Sequence, residues 1–176
     1  VLVVAASIIA FSFAVYNYYY SAARTGLENK AQTAITFFTT DVSQSYLGYY
    51  QSAYNYTESF DDKDSVEVQF VNTKGRVEVS SDGIADGSSP NTSDIANALK
   101  KGQISDWKGT SSETGERLMS VSVPLQYADG SFVGVLRYVS SMKPVDKKVF
   151  EITLIACAIG LLIIIIVLFS NMYFIR

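Results

Sequence analysis

Two apolar runs close the chain at either end, and between them the spacing of hydrophobic positions changes from helical to alternating and back. The last run, Ile152 to Phe169 (ITLIACAIGLLIIIIVLF), holds no charge and a single hydroxyl, Thr153. A helix rises about 1.5 Å per residue, so such a run matches a hydrocarbon core of about 30 Å. It reads as a membrane-spanning helix, because a core helix of a soluble domain shows a polar face and a buried strand is far shorter. The first run, Val1 to Val15, is shorter and ends in Tyr16, Tyr18, Tyr19 and Tyr20, aromatic residues favoured at the headgroup level. Two readings stand for it. It is a span with its first turns cut away, the preferred one, or the apolar core of a signal peptide cleaved near Ser21-Ala22-Ala23.

From Ala22 to Tyr56 apolar residues recur in steps of three and four: Leu27, Ala31, Ala34 or Ile35, Phe38, Val42, Tyr46, Tyr49 and Ala53. This spacing predicts one long helix with a packing stripe. Glu28, Lys30, Gln32, Thr36, Asp41 and Ser43 fall on its solvated side. Asp61, Asp62 and Asp64 then crowd a turn, without the spacing of a calcium loop.

The period next becomes two. Val66-Glu-Val-Gln-Phe-Val71 and Arg76-Val-Glu-Val-Ser80 alternate around Asn72-Thr-Lys-Gly75, which predicts a β-hairpin with Val66, Val68 and Phe70 on one face and Val77 and Val79 as their apolar partners. Residues 81–90 read as a loop. Thr92, Ser93 and Asp94 are N-cap candidates for a short helix, Ile95 to Leu99, that Gly102 ends. Ile104 to Lys108, Arg117 to Gln126 and Phe132 to Ser140 read as strands. Pro124 marks a strand end or edge, and apolar residues on both faces of the last strand suggest a central position. Val145 to Glu151 leads as a helix into the final run.

Composition narrows the function. With 14 Lys and Arg against 17 Asp and Glu there is no basic stripe, which argues against a nucleic-acid partner. The chain has no histidine, the commonest metal ligand and the phosphoacceptor of a histidine kinase, and no metal site is expected. Its one cysteine, Cys157, lies in the apolar run and forms no intrachain disulfide. No nucleophile and base stand at a recognisable spacing, so no catalytic residue is assigned. The two apolar ends suggest a fragment of a longer protein. Arg176 alone favours a cytoplasmic C-terminus, which would place the middle domain outside.

The element order, the phrase Phe70-Val-Asn-Thr-Lys-Gly-Arg-Val-Glu-Val-Ser80 and the phrase Val133-Gly-Val-Leu-Arg-Tyr-Val-Ser-Ser-Met-Lys-Pro-Val145 resemble an extracellular single-Cache, PAS-like sensor domain. Such domains sit between two transmembrane helices in bacterial sensor histidine kinases, above all WalK-like and PhoR-like ones. The resemblance implies an α+β fold: an antiparallel sheet of about five strands packed on a long N-terminal helix and flanked by two transmembrane helices. It implies residues 1–20 as the first span, 21–150 as the extracytoplasmic sensor, 151–172 as the second span and 173–176 as the start of a HAMP-like linker. A multi-pass protein of the cell membrane follows, working as a homodimer on a small-molecule or cell-wall-derived ligand and signalling to a response regulator. ATP and Mg2+ would belong to a kinase portion after Arg176, and these residues carry no cofactor of their own. A chemoreceptor, a cyclic-nucleotide enzyme with the same input, and a surface domain without signalling output are the alternatives.

Arg137 interrupts an apolar strand, where an unpaired guanidinium costs several kcal/mol. Its partner is either an anionic ligand, or Glu67 or Glu78 on the hairpin, or it lies at an exposed strand end. Arg117, Ser120, Ser122, Trp107 and Tyr138 would complete a small polar pocket, or else form a solvent-facing serine stripe and a core tryptophan. In the apolar runs Ala6, Ala10 and Ala14, and Ala156 with Gly160, recur every four residues, a spacing that lets transmembrane helices approach closely.

Overall fold

A computed structural model describes residues 2–41, 45–82, 87–112 and 114–174. The element order is α1 (Leu2–Asp41), α2 (Tyr46–Glu58), β1 (Val66–Asn72), β2 (Val77–Ser80), α3 (Ser93–Lys101), β3 (Ser105–Thr110), β4 (Arg117–Gln126), β5 (Phe132–Ser141) and α4 (Lys143–Phe174). These fall into two units, residues 24–142 and the pair of segments 1–23 and 143–176.

In the larger unit the five strands form one antiparallel sheet in the order β2-β1-β5-β4-β3. The chain makes its first hairpin, crosses through α3 to the far edge, and returns so that β5 closes the centre beside β1. Being central, β5 is buried on both faces, as its apolar run predicts. Pro124 pairs with Val135 at the end of β4 that β3 does not reach, so its missing N–H breaks no ladder there.

One face of the sheet, with Val68, Phe70, Val121 and Tyr138, packs against the helices. Tyr46 stacks toward Phe70, Phe60 toward Tyr138, and the Tyr56 and Tyr138 hydroxyls share a 2.7 Å hydrogen bond. Leu27, Ala31, Ala34, Phe38, Tyr49 and Ala53 are buried, so the helical stripe was legible, while Tyr46 is exposed. The single helix expected over 22–56 is two helices. Ser45 caps the second, its Oγ accepting from the Gly48 N–H at 3.1 Å. Val42 and Ser43 lie outside the described residues, as do 83–86 of the expected loop.

The opposite face carries α3. Ile95, Ala98 and Leu99 pack on Val71, Val77 and Val135. Here the structure corrects the hairpin reading. A bulge between Phe70 and Val71 pairs Val79 with Phe70 but Val77 with Val71, so the two valines serve opposite faces. Gly102 ends α3 in the left-handed conformation (φ 64°), its N–H donating to Ala98 O at 2.9 Å.

The smaller unit holds α4 and the part of α1 up to Ala23; both helices are long and apolar enough to cross a membrane by length and composition. Gly160 is the point of close approach: a Cβ there would stand 2.5 Å from Ile8 Cδ1 and 3.3 Å from Val4 Cγ1. Ala156 lines the same apolar groove between the helices, whereas Ala6, Ala10 and Ala14 are exposed on α1. Tyr20 donates to Asp146 Oδ1 at 2.6 Å.

Candidate functional site

Alternation decides which side chains meet. Residues opposite one another in an antiparallel pair share a face. Gln69 pairs with Arg137, and Arg137 with Ser122, so three adjacent strands put a polar row on the α3 face. Ser120 lies two residues before Ser122 on that face. Asp94, in the first turn of α3, comes down onto this row and is fully buried.

The contacts use all three guanidinium nitrogens. Arg137 Nε donates to Asp94 Oδ2 at 3.0 Å and Nη1 to Gln69 Oε1 at 2.9 Å. Nη2 donates to Thr92 Oγ1 at 3.2 Å and Ser120 Oγ at 3.1 Å. The hydroxyls of Ser120 and Ser122 each donate to Asp94 Oδ2 at 2.8 Å. Oδ1 of Asp94 is buried and takes no hydrogen bond among the described residues. Burial by itself would raise the Asp94 carboxyl, but the charge of Arg137 and hydrogen bonds from its polar neighbours outweigh it and hold the group below the ordinary carboxylate range.

Three of the six predicted pocket residues therefore meet: Arg137, Ser120 and Ser122. Trp107 faces the same side, opposite Ser120 in register, and its indole covers Gly109, where a Cβ would fall 2.3 Å from Cζ2. Tyr138 points to the other face and bonds Tyr56. Arg117 is exposed at the start of β4, on the face opposite Ser120. The hairpin carboxylates do not hold Arg137. Glu67 accepts from Gln69 Nε2 and Ser80 Oγ, both at 2.7 Å, and Glu78 accepts from Asn72 Nδ2.

The residues that sequence reasoning missed are Asp94, Gln69 and Thr92. Asp94 looked like a capping residue, and Thr92 does occupy the N-cap position, but its side chain makes no capping bond and accepts from Arg137 instead. The available signal was a buried cation facing a short helix that opens with a carboxylate. Chemically the two serine hydroxyls donate to a carboxylate whose lowered proton affinity makes it a poor base. The cluster is an ion pair that fastens α3 to the middle of the sheet.

No family model matches the sequence, and neither does any curated protein. Solved structures do. The ligand-binding domain of the Pseudomonas aeruginosa PAO1 amino acid chemoreceptor PctC, in complex with GABA, is similar over 71% of this chain and 60% of its own, at 13% identity and a TM-score of 0.55. The fold is Cache-like. The sensor domain of the Vibrio cholerae histidine kinase DctB matches 80% of this chain and 58% of its own at 16% identity and a TM-score of 0.55. The periplasmic domain of RsbU from Chlamydia trachomatis matches 83% and 56% at 12% identity and 0.54. The chain thus spans between 56% and 60% of the length of these three structures, and at such identities the likeness is one of fold.

Proposed function

We propose that this chain is the membrane-spanning input region of a bacterial two-component sensor histidine kinase of the WalK-like or PhoR-like kind. A Cache-like domain outside the membrane receives a small-molecule or cell-wall-derived stimulus, and α4 carries the response inward to a kinase that uses ATP and Mg2+. The observation that carries this reading is the connection at Met142: the central strand β5, which bears Arg137, ends one residue before α4 begins. A change at the polar cluster therefore has a short covalent path to the helix. Support for ligand sensing comes from the similar PctC domain, which is in complex with GABA. In this reading Arg137, Ser120 and Ser122 act by holding α3, with Trp107 beside them. The exposed alanines at 6, 10 and 14 suit contact with a second copy in a homodimer. A ligand biases such a receptor only by binding its two states unequally, with coupling of about 1–3 kcal/mol.

Topology is the test. Ala128 lies in the exposed turn between β4 and β5, and Asn171 near the far end of α4. In a Cys157→Ser background, a membrane-impermeant maleimide applied to intact cells is expected to label Ala128→Cys and to label Asn171→Cys only after permeabilisation. Labelling of both, or only of Asn171→Cys, in intact cells removes the sensor reading.

A further inference from the structure

Beside the Arg137 cluster, and sharing only Thr92 with it, a groove of about 410 Å3 runs along α3. One wall is the hairpin turn with Thr73, Lys74 and Gly75, and the other is α3 with Ala96, Leu99 and Lys100 and its N-cap residue Thr92, above the buried Ile95. Three features define what fits. First, both charged lining residues are cations, and neither Lys74 nor Lys100 has a carboxylate partner among the described residues. Second, Ala96, exposed, and Leu99, half-buried, stand three residues apart on α3 and offer an apolar edge. Third, Ser89, Asn91 and Thr92 gather polar side chains at the end where α3 begins, and Asn91 is held there at φ 50°, a left-handed conformation that asparagine tolerates better than most residues.

We infer that this groove binds an amphipathic organic anion: a carboxylate held by Lys74 and Lys100, an aliphatic arm on Ala96 and Leu99, and a neutral polar group near Asn91 and Thr92. The inference rests on the sensor reading and names its ligand class. A free amino acid fits poorly, because no Asp or Glu lines the groove among the described residues to meet its ammonium group. An acylated amino acid, whose amine is a neutral amide, satisfies all three features. The groove also meets the cluster: Thr92 forms part of its wall and accepts from Arg137 Nη2. A ligand that draws on Thr92 competes with Arg137, and Arg137 stands on the strand that leads into α4.

The experiment is calorimetric titration of the full chain in detergent micelles with N-acetyl-L-leucine, L-leucine and inorganic phosphate. N-acetyl-L-leucine is expected to bind saturably, L-leucine and phosphate at least about tenfold more weakly, and Lys74→Glu and Lys100→Glu each to weaken N-acetyl-L-leucine about tenfold while circular dichroism stays unchanged. The inference is overturned by absence of saturable N-acetyl-L-leucine binding, by charge reversals that leave it intact, or by L-leucine or phosphate binding as tightly. If binding fails while labelling still places Ala128 outside, the groove assignment falls and the sensor reading stands.

Discussion

At the scale of single residues, the Asp94–Arg137 pair sets the energetics of the domain's polar face. Both partners are almost fully buried, so deleting either strands a charge in a low-dielectric interior. Asp94→Ala and Arg137→Ala are each expected to destabilise the domain by about 3–5 kcal/mol, whereas Asp94→Leu with Arg137→Met is expected to recover most of that loss. Thermal unfolding of the full chain in micelles, followed through its single tryptophan, Trp107, measures all three. The pair also fixes a pH dependence. Because folding depresses the Asp94 carboxyl, its contribution is complete above the unfolded value of about 3.9 and is lost as pH falls below it toward the folded value. Asp62, depressed by its bond from Lys30, has the same sign but is exposed and screened. Asp94→Asn should therefore flatten most of the acid loss that sets in below about pH 4, where the unfolded carboxyl takes up its proton while the folded one still resists it; an unchanged acid slope would deny the pair this role.

At the scale of elements, periodicity and turn chemistry made most of the fold legible. The alternation in β1, the apolar run of β5, the buried stripe from Leu27 to Phe38 and the Gly102 stop of α3 all follow from local rules. What stayed hidden was non-local or off-period. A bulge at Phe70 and Val71 sent Val77 to the second face, and a capping residue broke an apparently continuous helix at Ser45. Of the site, Arg137 announced itself as a charge in an apolar strand, but its partner lies 43 positions earlier in sequence, and nothing in the spacing ties Asp94 to it. Glycines test the element geometry. A Cβ on Gly134 would stand 2.3 Å from the carbonyl oxygen of Val71, so β5 could not keep its register with β1. At Gly102 a Cβ meets only side chains, at 3.4 Å and beyond, and the penalty is that of the left-handed backbone, about 1–2 kcal/mol. Gly134→Ala is accordingly expected to lower the unfolding temperature more than Gly102→Ala; equal shifts would mean that β1 and β5 are not held as closely as described.

At the scale of the whole molecule, the sheet, β5 and α4 are parts of one signalling path in the proposed receptor. An inert anchor needs α4 only to be apolar and long enough. A signalling rod also needs its rotational phase, because the side chains that meet a partner helix are set by the 3.6-residue turn. The most direct measurement joins residues 1–176 to the cytoplasmic part of a histidine kinase and follows autophosphorylation after insertions behind Lys148, ahead of the apolar run. One added alanine rotates everything beyond it by about 100°, whereas seven return it to within about 20° of the starting phase. For a rod whose phase matters, the single insertion is expected to change kinase activity several-fold and the seven-residue insertion to bring it back toward the starting level. Activity indifferent to both insertions would mean that α4 is an inert anchor.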